Sequence, residues 1–421
     1  MIRDNPTPTY LFDLGVSGIA VDMPGCPMFY LGYGTRPGLL AEGPGKDGVS
    51  SLLYRLITDR MMAAMDGLGI PEGALSGFAG PDSAGIQARV LPQQVVPAVR
   101  IIADQVRTAD YDDAEFQMSR RDYLQDVVSE EFVVGRRARQ SLLAQLYGGR
   151  GRLARPWNGT YETVAELTLS DVVRCHTAGR RRGRMVLVGD LGEARVLQHV
   201  PELLKDLCPV DREESFAPSP EQAVVSPEYG IEVIDRPNSG MVKVCVAAVA
   251  PAAGDDDSLV AELLAAAVGG SPSSPLNRVL RDQEGVAYSP SVTYESGARH
   301  GFFLIDALVP KEKTRIALTS IFRMLTELAD EGVTAARLGV LKASYAATWP
   351  ALHQTPWAVG EWLLTGFHGE RSRDPLGDKV RQIADLDLDR VNSVARRMFG
   401  VEGVAVALEG ARDEIERQLA S

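Results

Sequence analysis

The sequence has few residues of the types that hold metals or disulfides, and those few are scattered. Its four cysteines show no C-x-x-C spacing, which argues against a metal knuckle and gives no reason to expect a disulfide framework. The five histidines include no H-x-x-x-H or H-x-H pair. Since helical zinc sites use two imidazoles four residues apart, we expect no metal site in this chain.

Long apolar runs and an excess of positive charge are also missing. No apolar run approaches the roughly 20 residues that cross a bilayer, and residues 1–6 lack a basic start with an apolar core behind it. We therefore expect a soluble cytoplasmic protein without a membrane partner. The net charge of -12 argues against general nucleic-acid binding, which draws most of its affinity from neutralising phosphates.

Positive charge is concentrated at two places. Arg136, Arg137 and Arg139 form one cluster, and Arg184 with the arginines at 180–182 forms the other. Either could face an acidic peptide or an acidic partner. A solvated helix face for the first cluster, and a loop before a strand for the second, are the plainer interpretations. The sequence assigns a function to neither.

The chain reads as two copies of one α/β unit. Strands, a central helix, more strands, a long helix and a closing strand recur in the same order in both halves. In the first copy these segments are 15–21, 29–34, 76–80, 85–90, 95–106, 116–128 and 185–190. In the second they are 241–246, 258–268, 301–305, 314–328, 404–408 and a last helix at 413–419. Such a repeat indicates duplication of one unit.

A proline-rich segment lies between the two copies. Residues 208–230 contain Pro209, Pro218, Pro220 and Pro227 among charged and small residues, a composition typical of an exposed linker. A length of 421 residues also exceeds what one hydrophobic core usually supports. We therefore predict a first domain at 1–210, a linker at 211–229 and a second domain at 230–421.

Residues 276–289 read as a helix that is stopped by Gly285 and followed directly by a strand. Arg281 and Tyr288 lie in this segment. A guanidinium offers several fixed donors and a phenol offers one, so together they can hold a peptide carbonyl and stabilise the oxyanion formed when water attacks it. The alternative is a surface arginine at a helix C-terminus beside a half-buried strand tyrosine.

This segment resembles the L-R-x-x-x-G-x-A-Y-S segment of the M16 metallopeptidases, the family of insulinase, pitrilysin and the mitochondrial processing peptidase. Residues 159–168 are similar to that family's G-T-x-E-x-I-x-x-L-T segment. The resemblance implies an α/β (α+β) fold of two tandem homologous domains. Each domain would be a mainly antiparallel sheet with helices packed on one face, and the two would form a half-shell.

The resemblance also places residues 48–55 in the frame of the family's inverted zinc motif, H-x-x-E-H. Its three functional positions are occupied here by Ser51, Tyr54 and Arg55, and the third ligand, a glutamate on a later helix, by Gln125 or Asp126. A serine hydroxyl is a poor zinc ligand, a phenol titrates too high for the general base, and arginine is a fixed cation. For this segment alone, an ordinary amphipathic helix is the alternative.

Residues 269–275 form a short loop rich in glycine, serine and proline. In noncatalytic subunits similar to the mitochondrial α-subunit, a longer glycine-rich loop at about this position contacts the incoming peptide. The resemblance therefore makes Gly269, Gly270 and Ser271 candidate substrate-binding residues. A tight connector between two helices is the plainer interpretation.

Taken together, the resemblance implies a noncatalytic subunit of a heterodimeric zinc peptidase. Arg281 and Tyr288 would act at the active site of a partner chain that carries an intact H-x-x-E-H motif. Zinc is expected in that partner and no cofactor in this chain, and the substrate would be a peptide, such as a leader peptide. The alternative is a scaffold or peptide-binding assembly protein that has lost proteolysis altogether.

Overall fold

A computed structural model describes residues 9–11, 16–36, 38–149, 151–179, 183–194, 198–208, 230–366, 374–400 and 403–420. The predicted linker at 211–229 and the arginines at 180–182 lie outside the described residues. The predicted division of the sequence into domains at 1–210 and 230–421 therefore stays a prediction.

The described residues form two compact units. The first unit draws on Met1–Val128, Pro156–Pro220 and Trp349–Asp378, and the second on Ser129–Arg155, Glu221–Thr348 and Lys379–Ser421. Each unit therefore includes one short segment from the opposite half of the sequence.

The first unit is built on a six-stranded sheet with the strand order β1-β2-β6-β3-β5-β4. Neighbouring strands are antiparallel except β2 and β6, which are parallel. The strands are β1 (Thr9–Leu11), β2 (Gly18–Asp22), β3 (Phe29–Thr35), β4 (Leu75–Ala79), β5 (Ala84–Val90) and β6 (Gly183–Gly189).

The second unit is built on a five-stranded sheet with the order β7-β11-β8-β10-β9. Its strands are β7 (Ile231–Asp235), β8 (Met241–Val249), β9 (Ser291–Ser296), β10 (Gly301–Pro310) and β11 (Val404–Gly410). Here too one pair, β7 and β11, is parallel and the others are antiparallel. The pairing repeats that of β2-β6-β3-β5-β4, which confirms the predicted mainly antiparallel sheets and the duplicated unit.

The helices of the first half of the chain, except α4, pack on one face of the first sheet and enclose its core. They are α1 (Val49–Asp66), α2 (Val95–Arg107), α3 (Asp113–Glu131), α4 (Arg136–Tyr147), α5 (Tyr161–Ala165), α6 (Leu169–Gly179), α7 (Leu191–Ala194) and α8 (Val200–Leu204), of which α4 belongs to the second unit. The apolar spacing that predicts a helix at 95–106 is confirmed by α2, whose buried side chains include Val95, Val99 and Ile102.

The remaining helices complete the second unit and the end of the chain. They are α9 (Ser258–Gly269), α10 (Pro275–Asn277), α11 (Thr314–Asp330), α12 (Ala335–Leu352), α13 (Pro356–Thr365), α14 (Pro375–Asp385), α15 (Leu388–Phe399) and α16 (Arg412–Ala420). A π-helical turn, Arg278–Gln283, continues α10. No helix in the described part of the chain has both the length and the apolarity needed to cross a membrane.

A helix from the far end of the sequence covers the second face of the first sheet. Phe29, Leu31 and Tyr33 of β3 point into the core under α1 and α2, while Tyr30 packs with α13. The two segments approach so closely that a Cβ at Gly360 would lie 2.0 Å from the Tyr30 ring, so only glycine fits there. In the second unit, α4 packs against β8 and β11 in the same way. Both sheets are therefore covered on two faces.

Removal of one side chain from this second face tests how much α13 stabilises the first unit. Leu363→Ala should lower the free energy of unfolding by about 2–5 kcal/mol, because a fully buried leucine is replaced by a cavity. The measurement is urea unfolding followed by tryptophan fluorescence, since all four tryptophans lie in segments of the first unit. In the control, Leu352→Ala removes a leucine that is 62% exposed and should change stability by less than about 0.5 kcal/mol.

Candidate functional site

The start of α1 is held by one glycine and one buried carboxylate. Gly48 has φ of 91°, and a Cβ there would lie 2.7 Å from the Asn158 carbonyl oxygen, so a glycine is required. Glu42 accepts hydrogen bonds from the backbone N–H groups of Gly48 (3.1 Å) and Ser50 (2.8 Å). The carboxylate also complements the positive end of the helix dipole. These contacts fix where Ser51, Tyr54 and Arg55 point.

Tyr54 lies at the position of the general base and points inward. It is 5% exposed, and its hydroxyl lies 2.7 Å from Thr35 Oγ1. Because Thr35 Oγ1 donates to the Ala84 carbonyl (3.3 Å), the Tyr54 hydroxyl donates to Thr35. Burial raises the pKa of Tyr54 well above its ordinary range. Tyr54 is therefore a neutral donor in the core and cannot deprotonate water.

Arg55 lies at the position of the second imidazole and forms an ion pair with Asp126 of α3. Its Nε also lies 3.9 Å from Asp59, one turn along α1. Of the two residues that the sequence left open on α3, Asp126 contacts Arg55, whereas the Gln125 side chain is exposed on α3. The ion pair joins the two helices that supply the metal ligands in the resembled family.

These side chains do not fit a zinc ion. Ser51 offers only a half-buried hydroxyl, and the Tyr54 hydroxyl is hydrogen-bonded to Thr35. The Arg55 guanidinium is a permanent cation whose charge is balanced by Asp126. Within the described ranges, no three His, Cys, Asp or Glu side chains come close enough together to hold a metal ion. The altered motif is therefore a pair of packed helices with no donor set for a metal.

Arg281 lies on the π-helical turn of the second unit and is held at two points. Its Nε donates to Asp282 Oδ1 (2.9 Å) and its Nη2 donates to the Pro272 carbonyl (3.1 Å). The side chain remains 37% exposed. The guanidinium is thus oriented by the loop before α10 while part of it faces outward.

Tyr288 follows the glycine that ends this helix. Gly285 has φ of 61°, and the N–H groups of Val286 (2.8 Å) and Ala287 (3.1 Å) both donate to the Leu280 carbonyl. Those two amides cannot join a strand ladder, so the prediction of a strand directly after the glycine is wrong: β9 begins at Ser291. Tyr288 is 88% exposed and is not the half-buried strand residue of the alternative interpretation.

The loop at 269–275 is a tight connector between α9 and α10. The Ser274 N–H donates to the Ser271 carbonyl (2.9 Å), and Asn277 Nδ2 donates to the same carbonyl (3.2 Å). A Cβ at Gly269 would lie 2.4 Å from a methyl of Val292, so this glycine packs against β9. The peptide-binding role of Gly269, Gly270 and Ser271 stays a prediction.

The first arginine cluster contributes to the fold of the second unit. Arg139 donates through both terminal nitrogens to Glu295 (2.7 and 2.5 Å) and lies over the Phe302 ring at 5.1 Å. Arg137 donates to the Asp235 carbonyl (3.1 Å). The interpretation of these residues as a solvated helix face is therefore wrong for Arg139, which fastens α4 to β9 and β10.

A network that sequence reasoning missed joins α6 to the segment before α1. Asp171 is 5% exposed and accepts from Lys46 Nζ (2.8 Å), from Thr168 Oγ1 (2.7 Å) and from Arg174. Burial alone raises the pKa of Asp171, but the hydrogen bonds from Lys46 and Thr168 outweigh it and hold the pKa at about 2. The only signal of this network in the sequence is the threonine at 168, three residues before Asp171. This spacing is typical of a helix start.

Restoring metal ligands at the altered motif tests this alignment. Ser51→His, Arg55→His and Asp126→Glu together place two imidazoles one turn apart on α1 facing a carboxylate on α3. We expect stoichiometric zinc after dialysis, measured by elemental analysis. The matched control carries Asp126→Asn and Gln125→Glu in place of Asp126→Glu and should retain none, because adjacent positions on a helix face different directions. Equal zinc in both variants would contradict the assignment of Asp126.

The Asp171 network predicts a pH dependence of stability. Because the pKa of Asp171 is lower in the folded chain than in the unfolded chain, its stabilisation is complete above about pH 4 and is lost as the pH falls through about 2. Asp171→Asn should lower the free energy of unfolding by about 2 kcal/mol at pH 7. In urea unfolding, the difference from wild type should shrink between pH 4 and pH 2. Asp122→Asn, on the surface of α3, should show no such trend.

Similar proteins are found by sequence and by structure. Residues 167–345 match the family model described as the peptidase M16 inactive domain. A protein named as an uncharacterized zinc protease of Mycobacterium tuberculosis (strain ATCC 25618 / H37Rv) is 23% identical over 410 residues, covering 93% of this chain and 90% of the relative. A protein of the same description from Mycobacterium bovis matches to the same extent.

Solved structures share the fold along nearly the whole chain. A peptidase M16 inactive domain from Pseudomonas fluorescens has a TM-score of 0.79 at 19% identity, covering 96% of this chain and 98% of that one. A protease from Helicobacter pylori has a TM-score of 0.80 at 15% identity, covering 96% and 100%. A chain of Complex III2 from Candida albicans has a TM-score of 0.79 at 15% identity, covering 96% of each. With the duplicated sheets and the family match at 167–345, these likenesses support one conclusion: the chain has the fold of the M16 peptidases and contains a segment similar to their inactive domain.

Proposed function

We propose that this chain is a noncatalytic M16 subunit that grips a peptide at the active site of a separate chain with an intact H-x-x-E-H motif. The observation that supports the proposal is the Arg55–Asp126 ion pair, which joins two residues at positions that the resemblance assigns to metal ligands. Tyr54 is a buried neutral phenol in place of the base. The altered motif therefore offers no group that could activate water.

The part that this chain would contribute is a set of hydrogen-bond donors. The Tyr288 hydroxyl has no hydrogen-bond partner among the described residues and is directed outward by the turn after Gly285. Two contacts orient the Arg281 guanidinium, and its Nη1 group has no partner within the described part of the chain. Donors of this kind stabilise the negative charge that develops on a carbonyl oxygen when it is attacked.

The partner would contribute the zinc and the glutamate that acts as general base. The substrate would be an extended peptide that adds a strand to a sheet edge, for which β4 and β9 end the strand orders of the two sheets. We further propose that the complex of this chain and its partner acts in the cytoplasm and removes leader peptides from its substrates.

The division of labour is tested by purifying the chain alone and together with its candidate partner. Bound zinc is measured in each preparation, and cleavage is followed on a peptide library. We expect zinc and turnover only when the partner is present. Stoichiometric zinc or peptide cleavage in the isolated chain would overturn the proposal.

Substitution of the two donors tests their role in the complex. Arg281→Ala or Tyr288→Phe should lower turnover by about tenfold to a thousandfold, the usual effect of losing one oxyanion donor. The matched controls are Arg278→Ala, an exposed arginine on the same helical turn, and Tyr161→Phe, a tyrosine that is 50% exposed in the first unit. These should leave turnover unchanged. Full activity of the Arg281 and Tyr288 variants would mean that the pair is structural.

A scaffold without any part in proteolysis is the second candidate. It is favoured by the engagement of Arg281 with Asp282 and Pro272, and by the likeness of the fold to a chain of Complex III2. A neighbouring gene that encodes a similar chain with H-x-x-E-H would favour the peptidase pair. Its absence from the genome would favour the scaffold.

A further inference from the structure

A cavity of about 420 Å³ lies in the first unit, beside the start of α1 and against α6. This volume is within the range of small-molecule sites, about 300–1,000 Å³. The cavity is lined by Ser50 and Tyr54, which lie on a different face of α1 from Ser51 and Arg55. The cavity therefore shares Tyr54 with the altered motif, but Ser51 and Arg55 are not among its lining residues.

The part of the cavity interior that is formed by apolar side chains of α1 and α2 carries no charge. Leu53, Ile57 and Val106 are each 2% exposed or less and form its wall. The Tyr54 hydroxyl is already paired with Thr35. Burial raises the pKa of the Cys175 thiol to about 11, so the thiol stays neutral at physiological pH. Such an interior accepts a hydrocarbon chain and rejects a charge.

The outer part of the cavity carries an excess of positive charge. The charged side chains among its lining residues are Arg36, Lys46 and Arg174, against Glu42 and Asp171. Lys46 and Arg174 are 37% and 69% exposed, and both contact the single carboxylate of Asp171. The Glu42 carboxylate accepts hydrogen bonds from the backbone N–H groups at the start of α1. The exposed cations can therefore attract a further anion.

We propose that this cavity binds a small amphipathic carboxylate of the medium-chain fatty acid class. The hydrocarbon chain would lie against Leu53, Ile57 and Val106, and the carboxylate would lie at Lys46 and Arg174. A bound molecule would stabilise the junction between α1 and α6 by mass action. The site needs neither a partner chain nor a peptide, so its failure would leave the proposed function untouched.

Isothermal titration calorimetry on the full chain tests the ligand class. Decanoate should bind, and octanoate should bind about sixteenfold more weakly, since it lacks two methylenes and each buried methylene changes affinity by about fourfold. Decanol should bind more weakly than decanoate, and decylamine should not bind. Absence of decanoate binding at millimolar concentration, or equal binding of decylamine, would overturn the proposal.

Variants at the outer part of the cavity test the position of the carboxylate. Lys46→Gln and Arg174→Gln, made separately, each leave one cation with Asp171, so the fold is retained. Each should weaken decanoate binding by about tenfold. Arg121→Gln, which removes a 71% exposed arginine on α3, is the matched control and should bind as wild type does. Unchanged affinity in both cavity variants would contradict the proposed site.

A second measurement tests the position of the hydrocarbon chain. Cys175 lines the cavity, so decanoate should slow its alkylation by a small neutral reagent, as followed by peptide mass spectrometry. Cys26 provides an internal reference, since it is partly exposed and is not among the residues that line the cavity. Slowing confined to Cys175 supports the proposal. Equal labelling of Cys175 with and without bound decanoate would overturn it.

Discussion

The hydrogen bonds from Gly48 and Ser50 to the buried Glu42 carboxylate determine how the first unit presents its chemistry. They fix the first turn of α1, which carries Ser51 and Arg55 on one face and Tyr54, with the cavity wall, on another. A shift of α1 by one residue would turn every side chain by about 100° and exchange these faces. The left-handed backbone at Gly48, which a Cβ would prevent, is the condition for this arrangement.

The packing of α1 against α3 does not depend on a metal. Arg55 and Asp126 are 31% and 57% exposed, so solvent screens their attraction and the pair contributes about 1 kcal/mol or less. The burial of Leu52, Leu56 and Met61, each 1% exposed or less, stabilises the position of α1 more strongly than the ion pair does. A chain of this fold can therefore lose its ligands and keep its helices in place. The ion pair balances the charges of Arg55 and Asp126, and the hydrophobic core positions the helices.

Local pattern predicted the strands and the duplication because buried strands and amphipathic helices carry their own periodicity. It could not predict that α13 packs on the first sheet, since Gly360 and Tyr30 meet only in the folded chain. Arg139 reads locally as a surface residue, yet its partner Glu295 lies far along the sequence. On α3, Tyr123 and Val127 point into the core, and this burial decides that Asp126 meets Arg55. Only the packed structure shows that Asp126, and not its neighbour Gln125, contacts Arg55.

The two copies present different side chains on similar backbones. In the first unit, α1 carries the neutral side chain of Tyr54 and the Arg55 side chain, which forms an ion pair with Asp126. In the second unit, Arg281 on the π-helical turn is partly exposed, and Tyr288 after Gly285 is almost fully exposed to solvent. A tyrosine that is 88% exposed contributes little to the stability of its unit, whereas tyrosine and arginine are enriched where proteins meet partners. Two hydrogen bonds from backbone N–H groups to the Leu280 carbonyl hold the turn in place. Tyr288 therefore faces outward because of the backbone conformation. The outward position is therefore built into the fold and is available to whatever binds beside Arg281.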